Sequence, residues 1–169
     1  MREALYNQII QDHFQRVFRL CYRHFGNGDD AEDATQEVFL KVWLNRDKFR
    51  GESNIGTWIY RITVNVCLTF FRNRQIKEKG TEYLRQYYYP DGDILGYSEG
   101  ESGYEKIQFL EKFLCGCPAI DRTLINLYLE NMDSRHIAEI TGLSESNTRI
   151  RIHRIKKRLL SEWEVYHEK

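Results

Sequence analysis

At 169 residues the chain is longer than one small domain requires, so two domains are expected. Its 41% apolar and 30% charged residues, 14% aromatics and only two prolines exclude disorder throughout. The 25 basic and 25 acidic side chains cancel, and the sequence lacks both a run of about eighteen apolar residues and a signal-peptide core, so a cytoplasmic protein is expected.

Residues 5–74 read as three or four helical pieces. In the first, Ile9, Phe14, Val17, Phe18, Cys21 and Phe25 form a broad apolar face, closed by Gly26-Asn27-Gly28. Asp29 or Asp30 is then the expected N-cap of a second helix running to about Asn45, its first turn acidic as the helix dipole favours. Ala31, Ala34, Val38 and Val42 supply that helix's buried stripe. A second stripe carries Asp33, Gln36, Glu37, Leu40 and Leu44. Leucines mixed with carboxylates suit a docking surface for a basic protein partner, the plainer alternative being an acidic helix start with leftover core contacts.

A polar turn, residues 49–54, leads into the helix IGTWIYRITVNVCLTFFRNR, whose core face is Ile59, Ile62, Val66 and Phe70. Its far side carries Trp58, Arg61, Asn65, Leu68 and Arg72. Planar side chains stack on unstacked bases while arginines hold phosphates, so this stripe points to single-stranded nucleic acid, with Trp58 alternatively a core residue at the stripe's edge.

The net charge of zero hides a partition. Residues 1–79 carry 13 basic and 10 acidic side chains, residues 80–105 carry 1 and 6, and residues 106–169 carry 11 and 9. The middle segment, with several glycines, a proline and no helical period, reads as an acidic linker between two mildly basic lobes. Its tyrosines, Tyr83, Tyr87, Tyr88, Tyr89, Tyr97 and Tyr104, suit partial packing on a surface; the alternative is a plain tether. Cys21, Cys67, Cys115 and Cys117 are read as reduced thiols rather than zinc ligands, and His13 and His24 receive no functional role.

Residues 134–160 read as two short helices around a turn. Gly142 supplies the positive φ, Leu143 an apolar anchor and Ser144 an N-cap. Thr148, Ile152, Ile155 and Leu159 share one face and should pack on Ile137, Ala138 and Ile140. The opposite face carries Ser146, Ile150, His153 and Lys157, flanked by Asn147, Arg149, Arg154 and Arg158, and the same helix also carries Arg151 and Lys156. That is the pattern of a helix-turn-helix whose second helix enters the major groove, with Ile150 placed to meet a thymine methyl.

Together these segments resemble bacterial sigma factors of the extracytoplasmic-function class. Residues 30–40 (DAEDATQEVFL) resemble the region-two helix that docks on the clamp coiled coil of RNA polymerase's largest subunit, implying that role for Asp33, Gln36, Glu37, Leu40 and Leu44. Phe49-Arg50-Gly51-Glu52-Ser53, with Thr57-Trp58-Ile59-Tyr60-Arg61-Ile62 and Asn65, is similar to the segment that captures the melted minus-ten element. This implies minus-ten contacts for Arg50, Glu52, Ser53, Asn54, Trp58, Arg61, Asn65 and Arg72. Residues 147–159 resemble the region-four helix that reads the minus-thirty-five duplex, implying contacts from Ser146, Asn147, Arg149, Ile150, Arg151, His153, Arg154 and Lys157. Asn147-Thr148 stands where the family commonly has Thr-Val, and the large intervening domain of housekeeping members is missing.

The resemblance implies an all-α chain of two small helical domains, 1–79 and 106–169, joined by a flexible acidic linker, 80–105, threading the polymerase's RNA-exit path. It also implies no catalysis, no cofactor, no metal and no small-molecule substrate. The implied partners are core polymerase, including the flap of its second-largest subunit, promoter DNA both duplex and melted, and an anti-sigma factor, membrane-linked in one form. The free chain is expected to be held off DNA, its lobes clasped or masked by that factor, with the acidic strap contributing. The competing readings are a dimeric helix-turn-helix repressor or activator with a sensing N-terminal lobe, and a protein-binding adaptor; an enzyme fits least.

Overall fold

The computed structural model describes residues 3–51, 54–77 and 101–167, and these are built from helices and turns. The helices are α1 (Glu3–Phe25), α2 (Gly28–Leu44), α3 (Ile55–Lys77), α4 (Glu101–Cys115), α5 (Ala119–Leu129), α6 (Ser134–Thr141) and α7 (Glu145–His167), with a 3-10 turn at Arg46–Lys48. Most of the expected linker lies outside the described residues. Its last part does not: α4 starts at Glu101, inside the segment read as strap.

The helix ends follow from local chemistry. Gly26, at φ 71°, stops α1, and the cap of α2 is Asn27 rather than Asp29 or Asp30. Asn27 has the extended backbone a cap needs; its Oδ1 accepts from the Asp30 amide at 2.8 Å while its Nδ2 donates to the Asp30 carboxylate at 2.8 Å. This reciprocal pair leaves both aspartates in the first turn, at the positive end of the dipole.

Ala31, Ala34, Val38 and Val42 are fully buried, as their spacing predicts, against Val17, Cys21 and Phe25 of α1 and Ile59 and Val66 of α3. Phe14, expected in this core, is instead 39% exposed and stacks on Phe39 with ring centroids 6.0 Å apart. The Cys21 and Cys67 sulfurs lie 3.9 Å apart inside it, and all four cysteines are free. Burial pushes the Cys115 thiol up to about 12, so it stays protonated.

The second core crosses between the two halves of the chain. Leu20 of α1 and Tyr60 and Val64 of α3 pack with Phe113, Leu114, Leu124, Ile125, Leu127, Ile137, Ile140, Ile152 and Ile155. Polar groups reinforce this seam. Arg122 of α5 is 2% exposed, and its guanidinium donates to the carbonyls of Leu114 (2.9 Å) and Cys115 (2.8 Å) at the end of α4 and of His24 (2.8 Å) at the end of α1. Beside it, Thr123 Oγ1 lies 2.9 Å from the Ala119 carbonyl, to which it donates, and 3.3 Å from His24 Nε2. Glu130, after α5, is gripped by Arg19 (3.0 Å) and Arg23 (2.8 Å) of α1. Burial pushes its carboxyl up, but the Arg19 and Arg23 guanidiniums outweigh that and hold it below the ordinary range.

Arg122→Leu leaves carbonyls at two helix ends without a charged donor and should cost about 3 kcal/mol or more in urea unfolding, with Arg122→Lys a poor rescue because an ammonium cannot fork. Burial, aided by the Arg122 charge, pushes His24 down to about 3. A histidine kept neutral stabilises the fold above its unfolded value of about 6.5 and loses that contribution as pH falls toward 3, by up to about 1.4 kcal/mol per pH unit. Unfolding free energies at pH 7 and pH 5 should therefore diverge more for the parent than for His24→Gln.

Candidate nucleic-acid and polymerase interface

On α2 the structure divides the expected docking stripe. Asp33, Gln36, Leu40 and Leu44 are exposed along one edge, Leu40 at 51% and Leu44 at 64%. Apolar side chains that open to water lie there beside polar and acidic ones, an arrangement that fits a protein partner. Glu37 turns off this edge, pairs with Lys41 at 3.1 Å and helps line the cleft between α2 and α3.

That cleft encloses about 340 Å³, walled by Glu37, Lys41, Asn45 and Lys48 on one side and by Trp58, Ile62, Asn65 and Thr69 of α3 on the other. Its size and mixture of a flat indole, an amide and two lysines match what a planar polar ligand requires. Trp58 does both things weighed for it: it packs half-buried against the N-terminal core, with Phe49 5.3 Å away, and it forms part of the cleft wall. Asn54 starts α3, accepting from the Gly56 amide at 2.8 Å through Oδ1. A Cβ at Gly56 would stand 3.2 Å from that oxygen and 3.3 Å from the His13 ring, so a larger residue there would have to push the Asn54 and His13 side chains back by a few tenths of an ångström. Arg50 is exposed on the preceding turn, whereas Glu52 and Ser53 lie outside the described residues.

The α3 stripe is not one surface. Asn65 faces the cleft, Arg72 is exposed, and Arg61 and Leu68 lie on the flank toward the C-terminal half. Arg61 Nη2 donates to the carbonyl of Glu139, on α6, at 2.8 Å.

In the helix-turn-helix, Gly142 has φ 76°, and the Ser144 hydroxyl accepts from the Asn147 amide at 3.2 Å, so turn and cap are as expected. Thr148, Ile152 and Ile155 are buried against Ile137, Ala138 and Ile140. The cations of α7 separate into two sets. Arg149, Arg154 and Lys157 are exposed with Ser146, Asn147, Ile150 and His153, and Arg149 pairs with Glu145 of its own helix. Arg151, Lys156 and Arg158 turn back onto their own lobe: Arg151 binds Asp121 of α5 (Nε–Oδ1 2.9 Å), Lys156 donates to Tyr128, and Arg158 lies over the Phe113 ring and reaches Cys117. Periodicity gives no sign of this division, because the partners come from α4 and α5. Among the described residues no group of three His, Cys, Asp or Glu could hold a metal ion, and no helix is long and apolar enough to cross a membrane.

Two family models match in chain order: Sigma-70 region 2 over residues 9–76 and Sigma-70, region 4 over residues 114–159. The chain is also 30% identical, over 156 residues, to the RNA polymerase sigma factor SigV of Bacillus subtilis (strain 168), with 92% of this chain and 89% of that protein covered. The chain is a sigma factor of the sigma-70 family. It falls in the extracytoplasmic-function class, being 28% identical to the ECF RNA polymerase sigma factor SigW of the same organism over 89% of this chain and 84% of that one. The sigma factor RpoE of Bartonella quintana, solved with the anti-sigma factor NepR, shares its fold at a TM-score of 0.71 and 21% identity, over 94% of this chain and 98% of that one. This sigma factor is therefore a transcription initiation factor, and the region 2 match sets aside a repressor with a ligand-sensing N-terminal lobe.

Because Arg151 is committed to Asp121 and Arg154 faces solvent, Arg151→Ala should lower stability by roughly 1 kcal/mol, while Arg154→Ala leaves stability unchanged and weakens DNA binding. Paired urea and duplex-binding titrations separate the two effects.

Proposed function

We propose that this sigma factor docks on core polymerase through the α2 edge of Asp33, Gln36, Leu40 and Leu44, with Glu37 at its margin. Residues 1–79 form the polymerase-binding and promoter-melting half, and residues 106–169 the duplex-reading half. The observation that carries the melting role is the α2–α3 cleft, large enough for one base and offering the Trp58 ring and the Asn65 amide. Extracting a base costs a few kcal/mol of lost stacking, and such a pocket offsets part of it. Arg50, Arg61 and Arg72 hold the phosphates of the melted strand, and Glu52, Ser53 and Asn54 contribute further contacts to it.

Upstream, α7 enters the major groove. Ser146, Asn147, Arg149, Ile150 and His153 approach base edges, and Arg154 and Lys157 contact phosphates. Arg151 acts by holding α7 against α5. The chain performs no chemistry of its own; polymerase does. It acts in the cytoplasm, and an anti-sigma factor is its regulator, as for the relative crystallised with one.

The test is transcription with core enzyme. Asp33→Lys with Leu40→Asp should abolish co-purification with polymerase. Trp58→Ala and Asn65→Ala should retain it but lose permanganate reactivity at the promoter. Open-complex footprints unchanged by the Trp58 and Asn65 substitutions would refute the pocket.

A further inference from the structure

Asn54, His13 and Tyr60 converge on the bare Cα of Gly56, in the first turn of α3. A Cβ there would meet Asn54 Oδ1 at 3.2 Å, His13 Cε1 at 3.3 Å and Tyr60 Cε2 at 3.9 Å. Asn54 ends the polar turn and ties down the helix start twice: its Oδ1 accepts from the Gly56 amide at 2.8 Å and its carbonyl from the Trp58 amide at 3.2 Å. His13 is brought to this point by α1. Its ring stands edge-on to Tyr60, with centroids 6.5 Å apart and planes at 90°, and its buried Nδ1 has no hydrogen-bond partner among the described residues. The first turn of α2 carries Asp29 and Asp30, but that of α3 has no acidic residue, so the imidazole is packed against an uncompensated positive helix end. A neutral ring is tolerated there, whereas an imidazolium is repelled.

We propose that His13 is a positioning residue for strand capture: its neutral ring buttresses the entry of α3 and so sets where Asn54 and Trp58 meet the melted strand. The inference rests on the reading of those two residues as strand contacts. His13 touches no DNA itself; it acts through the turn and the first turn of α3. Burial lowers the proton affinity of its ring, the charge of neighbouring Asp12 raises it and that of Arg16 lowers it. From α3 the facing titratable group is Tyr60, whose phenol burial pushes up, so it stays protonated. A histidine whose folded state favours the neutral form gives its full support above the ordinary value of about 6.5 and loses it as pH falls below that. Strand capture is therefore the step of this factor's work that acid weakens through α1, while the duplex-reading face of α7 is remote from the contact.

The test uses the full chain with His13→Ala, His13→Gln and Gly56→Ala. Amide hydrogen exchange at Gly56 and Trp58 reads the helix entry without DNA, and permanganate reactivity with core polymerase reads promoter opening. His13→Ala should speed exchange at both amides by about fivefold or more. It should also lower opening by about threefold or more, with co-purification with polymerase and duplex binding kept. Gly56→Ala, which pushes the His13 ring back from the other side of the contact, should reproduce both changes. Between about pH 7.5 and about pH 5.5 the parent should lose opening by about threefold more than His13→Gln does, because glutamine stays neutral throughout. Comparing the two chains cancels the pH dependence of polymerase and of His153. Unchanged exchange in both His13→Ala and Gly56→Ala overturns the positioning role. Faster exchange with unchanged opening refutes Asn54 and Trp58 as strand contacts, and the proposal with them. Duplex binding lost together with opening marks a general folding fault and overturns the assignment to capture. Parallel pH profiles of the parent and His13→Gln overturn the requirement for a neutral ring.

Discussion

A guanidinium taken out of water must be met by nearly as many acceptors as it leaves behind, and Arg122 meets this requirement with peptide carbonyls at the ends of helices. The last carbonyls of α1 and α4 are unsatisfied by their own helices and carry the negative end of each dipole, so both helices point their most electronegative groups at one cation. That convergence fixes where α1 and α4 stop relative to α5. It also sets the environment of His24, whose carbonyl faces Arg122 and whose ring must stay uncharged beside it.

With α5 seated on α1, α3 becomes the element that everything shares. One face belongs to the N-terminal core through Ile59 and Val66, another to the seam through Tyr60 and Val64, and a third to the cleft through Trp58, Ile62 and Asn65. A helix in this position cannot shift without disturbing two cores, which gives the cleft the rigid walls that holding a flat ligand requires. Within the C-terminal half the Arg151–Asp121 pair performs a similar service for α7, anchoring one side of it while the other stays clear.

The helices and their self-contained contacts were legible in the sequence. Alanines and valines at helical spacing placed the α1–α2 packing, and Gly142 with Ser144 placed the turn and start of α7. What was not legible depends on segments far apart in the chain. Leu20, His24, Tyr60 and Val64 lie off the apolar stripes of their helices and are buried only because α5, α6 and α7 cover them. Arg122 reads as one more surface cation in an 11-residue helix. The same blindness merged Arg151, Lys156 and Arg158 with the outward cations of α7. It also drew Arg61 and Asn65 as one stripe, when one faces the seam and the other the cleft. At α2 the miss was local: either aspartate satisfies the capping preference, and Asn27 won by having the backbone conformation and a reciprocal partner.

The seam has a consequence for the chain while it is being made. Its first surface, Leu20, Tyr60 and Val64, leaves the ribosome before the residues that cover it, Leu124 and Ile137 among them. Roughly 60 residues separate the two sides, about 3–12 s of synthesis at ~5–20 residues per second. During that interval the apolar side chains of Leu20, Tyr60 and Val64 are without the residues that later cover them, and are open to chaperones or to neighbouring nascent chains on the same message. A polysome making this protein thus displays a row of matching unpaired faces, and each is withdrawn only when its own C-terminal half arrives.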